Sequence, residues 1–313
     1  MRLIVASALL LLVLGLIAAA AIAFPFWQAP PVVQAQGDAG RGEYVMRMGG
    51  CVECHTAEPE GSPILAGGRA LKTPFGTFYT PNITPDAETG IGGWSTGDFI
   101  LAMVEGVSPG GQHYFPAFPY TSYTHMSEQD LVDLKAYLDT VEPVRRAVPA
   151  HELDFPYQFR PLIGGWKLFF FEDGGFRPDP SRSDAWNRGA YLVNGPGHCG
   201  ECHTPRNAFG APLPERFLAG TADGPDGKSV PNITPDRQDG IGGWSTTDIV
   251  FALQTSILPD GDVLGGAMGQ VVEESTSHLE RADLEAIAKY LLSLEPVAGE
   301  PAEKGEKAED SST

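Results

Sequence analysis

Cysteine is scarce in this chain, with four among 313 residues, too few for the disulfide-dense scaffolds of small secreted domains. Positive charge is scarce as well. Lys and Arg number 21 against 40 Asp and Glu, a formal net charge of −19. Nucleic-acid binding needs a basic footprint to neutralise phosphates, so that class is excluded. Charged residues make up only 19% and hydrophobic residues 42%, which excludes a disordered, highly charged solvating protein. Convincing strand alternation is missing too, and 38 Gly with 27 Pro would weaken strands further. Helices joined by long loops are expected instead. At about 150 residues per domain the length suggests two domains, each with its own core.

One long apolar run is present, at the N-terminus. Residues 3–24 carry no charge, and at about 1.5 Å per residue a helix of that length covers roughly 33 Å, enough to span a bilayer core. Two readings compete. A signal peptide would be cut near Val33-Gln34-Ala35; an uncleaved anchor would cover residues 1–27, hold Arg2 on the cytoplasmic side and place Phe26-Trp27 at the interface. The run exceeds the 7–15 residues of a signal core, so the anchor is favoured. Both readings export the remainder.

The rest of the chain repeats itself. Arg41-Gly42-Glu43-Tyr44-Val45 recurs as Arg188-Gly189-Ala190-Tyr191-Leu192, and Cys51-Val52-Glu53-Cys54-His55-Thr56 as Cys199-Gly200-Glu201-Cys202-His203-Thr204. Pro81-Asn82-Ile83-Thr84-Pro85-Asp86 recurs from Pro231 to Asp236, each copy followed by Gly-Ile-Gly-Gly-Trp-Ser, and Asp130-Leu131 is matched by Asp283-Leu284. The register shifts by 147, 148, 150 and 153 along these blocks, which describes a tandem duplication rather than a solenoid. Domains are expected at 37–144 and 186–295. Between them lies an aromatic-rich connector, 145–185, whose rings are expected to fill an interdomain core. An acidic, disordered tail is expected over 296–313. Ser95 with Asp98, Ser245 with Asp248 and Ser127 with Asp130 resemble capping boxes with Asp in place of Glu. Apolar periodicity after each completes a helical reading.

Cys-x-x-Cys-His is the attachment signature of a c-type haem. Two thiols one helical turn apart can add across the vinyl groups on one porphyrin edge, and the next residue offers its imidazole to the iron. Cys51, Cys54, Cys199 and Cys202 are therefore candidate thioether anchors for two covalent haems, and His55 and His203 candidate proximal ligands. A zinc site or a thioredoxin-like pair could use one CxxC, but neither explains two CxxCH copies at matching places in a duplication.

Methionine often occupies the opposite side of such an iron and raises its potential. Met268 is the only methionine after Cys202 and is the candidate for the second haem, on a 265–269 segment that reads as a loop. Met46 and Met48 stand too close to Cys51, and Met103 reads as core, which leaves Met126 for the first haem. His113 and His125 are rival ligands there. Met268 aligns better with Phe118 than with Met126, so the two copies would present methionine from different points of one loop. His151, His198 and His278 read as surface or supporting groups. The repeated Asn-Ile-Thr blocks are expected to shape each haem pocket, with Trp94 and Trp244 near the haem edge donating to a propionate or a carbonyl.

The doubled CxxCH, the AFPYTSYTHMSEQDL and WNRGAYLVNGPGHCGECHTPRN segments and the NITPD/GIGGWS blocks resemble the dihaem cytochromes c related to the cytochrome subunits of membrane-bound bacterial alcohol, sugar and aldehyde dehydrogenases. The resemblance implies an all-α fold of two class I cytochrome c domains behind the N-terminal helix. It further implies electron transfer from a dehydrogenase subunit to a quinone, cytochrome or oxidase, on the periplasmic side of the inner membrane. Where this chain has Ala117-Phe118-Pro119-Tyr120, the alcohol dehydrogenase subunits have Ala-Met-Pro-Tyr, and they carry a third haem. The competing reading is a dihaem redox enzyme of peroxidase or thiosulfate-oxidising type, with one iron open to substrate. A metal-binding structural module is a third.

Overall fold

A computed structural model describes residues 2–24, 28–58, 61–224 and 227–299. The expected interfacial pair Phe26-Trp27 and residues 300–313 of the expected tail lie outside the described residues. Helix α1 (Arg2–Ala23) is followed by α2 (Ala39–Met48), α3 (Cys51–His55), β1 (Ala70–Thr73), β2 (Gly76–Tyr79), α4 (Thr96–Glu105), α5 (Tyr120–Tyr123) and α6 (Glu128–Leu138). The connector holds β3 (Glu152–Leu153) and α7 (Pro161–Phe170). The second half contains α8 (Asp184–Asn194), α9 (Gly200–His203), α10 (Thr246–Thr255), α11 (Gly266–Glu274) and α12 (Arg281–Leu291).

Local chemistry starts these helices where the residue pattern places them. Both Ser95–Asp98 and Ser245–Asp248 form complete capping boxes, each side chain satisfying the other residue's backbone N–H. The first and last long helices of each half then cross at a glycine. A Cβ on Gly42 of α2 would lie 1.9 Å from the Asp133 carbonyl oxygen of α6, and one on Gly189 of α8 would lie 1.9 Å from the Ala286 carbonyl oxygen of α12. Only glycine lets these backbones approach so closely. Leu131, Leu134 and Leu138 of α6, and Leu284, Ile287 and Leu291 of α12, bury their side chains in the core.

The fold is predominantly helical rather than all-α. Strands β1, β2 and β3 form a small antiparallel sheet in that order. Gly76 (φ +114°) turns β1 into β2, and β3 pairs through Gly76↔Leu153 and Thr77↔Glu152. Four-residue strands with one partly wet face leave too little alternation to recognise in a sequence.

The third expected capping box is only half formed, and its missing half comes from the other half of the chain. Ser127 Oγ accepts from Asp130 N, but the Asp130 carboxylate instead accepts from the Tyr191 hydroxyl, which in turn accepts from Ser127 N. The reciprocal contact exists at α12: Tyr44 Oη donates to Asp283 Oδ2 at 2.7 Å and accepts from Glu280 N at 3.1 Å. Each half's first helix thus completes the N-terminus of the other half's last helix. Burial alone would push the Asp283 carboxyl up, yet the Arg188 guanidinium and the Tyr44 hydroxyl outweigh it and hold it below the usual carboxylate range. Tyr44→Phe is therefore expected to cost about 1–3 kcal/mol of stability, measured by denaturant unfolding. Because the folded Asp283 pKa is lowered, the contribution of this clasp is present above about pH 4 and lost as pH falls through the folded value.

The connector does touch both halves, but it does not fill a core between them. Trp166 Nε1 donates to Phe209 O at 2.9 Å, and Phe170 stacks on Phe209. Lys167 donates to Gly106 O at 2.9 Å. Phe155, Tyr157, Phe159 and Phe169 nonetheless remain exposed. The space they were expected to occupy is taken by direct contacts between the halves. The stretch expected to be disordered from 296 also starts in contact, since Val297 O accepts from Asn232 Nδ2 at 2.7 Å and Gly299 N donates to Asp239.

Candidate functional site

Each Cys-x-x-Cys-His sits on one short helical turn, α3 in the first half and α9 in the second. Gly50, at φ +57°, precedes α3 in the left-handed region and lets the chain reverse out of α2. Residue i and residue i+3 of a helix share a face, so Cys51 with Cys54, and Cys199 with Cys202, each present two thiols side by side. None of the four is in a disulfide. Burial pushes Cys51, Cys54 and Cys199 up to about 12 and Cys202 up to about 11. That is the opposite of the lowered pKa that a thioredoxin-like nucleophile requires. Among the described residues no three His, Cys, Asp or Glu side chains converge to hold a metal ion.

The histidines are held in one orientation by backbone. His55 Nδ1 lies 2.8 Å from Pro81 O, and His203 Nδ1 lies 2.8 Å from Pro231 O. A carbonyl only accepts, so Nδ1 carries the proton and Nε2 presents its lone pair on the far side of the ring. Burial lowers both imidazole pKa values, with the proline carbonyl opposing, which favours the neutral form that binds iron. The thiols, the fixed tautomer and the free Nε2 atoms fit a covalently attached haem at each motif.

The carbonyls are placed by a network that recurs in both halves. Thr56 Oγ1 accepts from Leu65 N at 3.2 Å, and Thr204 Oγ1 from Leu218 N at 3.1 Å. Those leucines are buried and left-handed, at φ 62° and 61°, and their carbonyls accept from Ile83 N and Ile233 N, both at 2.9 Å. Gly67 N donates to His55 O and Gly220 N to His203 O, each at 2.7 Å. A Cβ at Gly67 would strike the Pro81 carbonyl carbon at 2.4 Å. Pro81 and Pro231 are thereby pinned against the imidazoles. Sequence reading missed Thr56, Leu65, Gly67 and their partners as positioning residues. The signal was present, because Leu65-Ala66-Gly67 recurs as Leu218-Ala219-Gly220.

The Asn-Ile-Thr blocks are structural. Asn82 is buried, accepts from Thr84 N at 3.0 Å and donates to Val144 O at 2.7 Å. Asn232 does the same with Thr234 N and Val297 O. Each block thus ties the pocket loop to the chain that leaves the last helix of its half. Trp94 and Trp244 pack against the core, but neither indole donates to a carbonyl among the described residues. The carbonyl partner expected for them is not there.

The two candidate methionines are placed differently in the two halves. Met126 is buried between α5 and α6, in one apolar cluster with Val52, Leu65 and Tyr123. Met268 does not lie on a loop: it is in the first turn of α11, half-buried. Two glycines before it leave room for the turn, and the helical pattern of the 266–274 stretch was too short to recognise. The bridges Val107↔His113 and Ile257↔Val263 keep the 150-residue register, so Met268 takes the place of Phe118. The N-caps Ser127 and Glu280 differ by 153, which puts buried Leu279 where the first half has Met126.

The remaining histidines have other partners. His113 Nε2 faces Ile22 O at 3.1 Å, His151 Nδ1 accepts from Tyr79 N, His198 Nε2 faces Gly49 O and His278 Nε2 faces Glu273 O. His125 turns to the connector and bonds the backbone at Gly174.

Each attachment helix touches the other half, α3 against α11 and α9 against α5. Thr121 and Ser122 of α5 both donate to Glu201 of α9 at 2.8 Å. Arg69 links α3 to α11, donating to Glu53 O and to Gln270 Oε1, each at 2.7 Å. The equivalent carboxylates Glu53 and Glu201 are driven apart. Burial raises Glu53 to about 7 against the pull of Arg69. Burial also acts on Glu201, but Arg206 and the two hydroxyls outweigh it and lower its pKa.

Comparison with known proteins agrees with this geometry. The cytochrome c family model matches residues 39–142. The chain is 46% identical to a dihaem c-type cytochrome of Cereibacter sphaeroides over 82% of its own length and 85% of that protein. It is 40% identical to the cytochrome c subunit of the quinone-dependent alcohol dehydrogenase of Gluconobacter oxydans over 82% of its length, spanning 55% of that subunit. It is 39% identical to the fructose dehydrogenase cytochrome subunit of Gluconobacter japonicus over 81% of its length, spanning 52% of that subunit. The chain thus spans about half the length of these two dehydrogenase subunits. The chain belongs to the cytochrome c family, and its cofactor is covalently bound haem c, attached twice.

Proposed function

We propose that this protein is a membrane-anchored dihaem electron carrier. It would accept single electrons from the catalytic subunit of a dehydrogenase and deliver them to a quinone, cytochrome or oxidase on the periplasmic side. The observation that carries the reading is the pair of matched imidazole–carbonyl bonds, His55 to Pro81 and His203 to Pro231, each beside two unpaired thiols. The two halves, 37–144 and 186–295, act as class I cytochrome c domains joined by the 145–185 connector. Relatives named as dehydrogenase cytochrome subunits support a dehydrogenase as the donor.

Each haem supplies a one-electron iron couple. Cys51 with Cys54, and Cys199 with Cys202, would hold the porphyrin by thioethers. His55 and His203 would bind iron through Nε2, and Met126 and Met268 would be the methionine ligands, which raise the potential. An iron whose ligands all come from the protein and porphyrin would offer no place to substrate, which would separate a carrier from a peroxidase-type enzyme. Contact of each attachment helix with the other half, α3 with α11 and α9 with α5, favours exchange between the two centres. Retention of α1 is supported by the strap that follows it: Val33 and Ala35, at the candidate cleavage site, pack against the core, and Gln36 O accepts from Gln129.

Affinity capture from solubilised membranes, followed by redox titration, tests the reading. A co-purifying dehydrogenase that reduces both haems with its substrate supports it; a high-spin ferric resting spectrum that binds cyanide overturns it. Met126→Leu and Met268→Leu are each expected to lower one of the two midpoint potentials and to open that iron to cyanide. His125→Ala is expected to leave both potentials unchanged.

A further inference from the structure

Helix α7 is apolar on the side that the protein does not use. Its inner face is fully committed. A Cβ on Gly164 would lie 1.9 Å from Ile22 O in the last turn of α1. One turn on, Lys167 donates to the carbonyls of Glu105 and Gly106 and stands 4.5 Å from the centre of the Tyr120 ring. Lys167 is the only charged residue of α7, so the outer face has none. Leu162 and Phe169, seven residues apart and therefore on one face, are 56% and 78% exposed, and Leu168 is 64% exposed. Phe155, Phe159 and Phe209 extend the surface. A helix on a water-facing surface carries charge outward, whereas one apolar all round belongs in a core or in lipid.

Its position says what covers it. Helix α7 packs on α1, at Ile22, in the final turn of the 20-residue Ile4–Ala23 span, whose mean hydropathy is 2.8 and none of which is buried in the protein. The end of a membrane span lies at the boundary between acyl chains and headgroups. A helix touching that final turn lies at the same depth, where aromatic and leucine side chains partition well.

We propose that α7 and its flanking aromatics form a second membrane contact, an interfacial face seated at the headgroup–acyl boundary of the bilayer that α1 crosses. This rests on the reading of α1 as a retained anchor. A single span would let the haem-bearing halves swing about a tether. The added face restrains them in one orientation, with the His113 side of the first half nearest the lipid.

Thiol labelling of the full-length holoprotein in lipid nanodiscs tests this, because the four native cysteines are occupied by haem. Single cysteines are introduced as Phe169→Cys on α7, Leu11→Cys in α1 and Glu285→Cys on the exposed face of α12. Each is reacted with a charged, membrane-impermeant maleimide and with a lipid-partitioning one. At residue 169 the charged reagent is expected to react at least about tenfold more slowly than at residue 285, because moving its charge out of water into the headgroup–acyl boundary is costly and keeps it away from the thiol. The lipid-partitioning reagent should retain its rate there. Rates at 169 that match those at 285 for both reagents overturn the inference. Suppression of both reagents means that a protein surface, such as a second copy of this chain, covers the face, and overturns it too. Rapid charged labelling at residue 11 sinks the anchor reading separately.

Discussion

Replacing Cys199 and Cys202 together by serine is expected to leave a protein that carries one covalent haem instead of two. A hydroxyl does not form the thioether that holds a vinyl carbon, so the second half loses its attachment while the first retains Cys51, Cys54 and the His55–Pro81 bond. Intact mass and the haem-to-polypeptide ratio measure the loss directly, and the redox titration should collapse from two steps to one. The reciprocal Cys51→Ser/Cys54→Ser variant should lose the other step. The surviving step in each variant then assigns a potential to a half of the molecule. A variant that still binds two haems covalently, or a wild-type protein that is colourless after maturation in a competent host, would refute the attachment argument.

Gly189→Ala is expected to produce one of the largest losses of stability of any single methyl group added to the helices. The new Cβ would lie 1.9 Å from the Ala286 carbonyl oxygen, 2.5 Å from the carbonyl carbon and 2.9 Å from the Tyr290 Cβ. Two of those neighbours are backbone, so relief requires α8 and α12 to separate, not a rotamer change. Overpacking of this kind costs about 1–3 kcal/mol and sometimes more. For a unit of roughly 100 residues that lowers Tm by roughly 5–20 °C. Gly42→Ala should behave alike at the α2–α6 crossing, where the Asp133 carbonyl oxygen stands at the same distance. Gly165→Ala on α7 is the control. Nothing lies within 4 Å of that position, and alanine's better helix propensity should leave stability unchanged or raise it by up to about 1 kcal/mol. Equal effects at 165 and 189 would remove the close helix crossing as the cause.

Much of the site is legible in the order of residues because its chemistry is local. CxxCH places two thiols and an imidazole on a single turn, and repetition of that motif within matching surroundings separates haem attachment from zinc or thiol redox use. The capping boxes at Ser95 and Ser245 are readable for the same reason, since their partners are three residues away. Ser127 shows where this stops. Its local partner Asp130 has the right identity and spacing, yet the carboxylate is taken by Tyr191, 61 residues along the chain. Met268 shows a second limit, because a segment rich in glycine reads as a loop and yet supplies the first turn of α11. The connector aromatics show a third. Composition implies that they are buried, but composition does not say whether protein or another apolar phase covers them.

The two CxxCH motifs and the blocks repeated around them are legible in the amino-acid sequence, since each motif joins groups a few positions apart and recurs in the same order. Which carbonyl orients each imidazole, how the tyrosines of one half cap the helices of the other, and where α7 lies against the end of α1 were decided only by the folded chain. Those arrangements join groups 26 to 239 residues apart. Contacts over such separations are selected by the packing of all the elements together, where helix crossing, buried polar satisfaction and chain connectivity must be met at once.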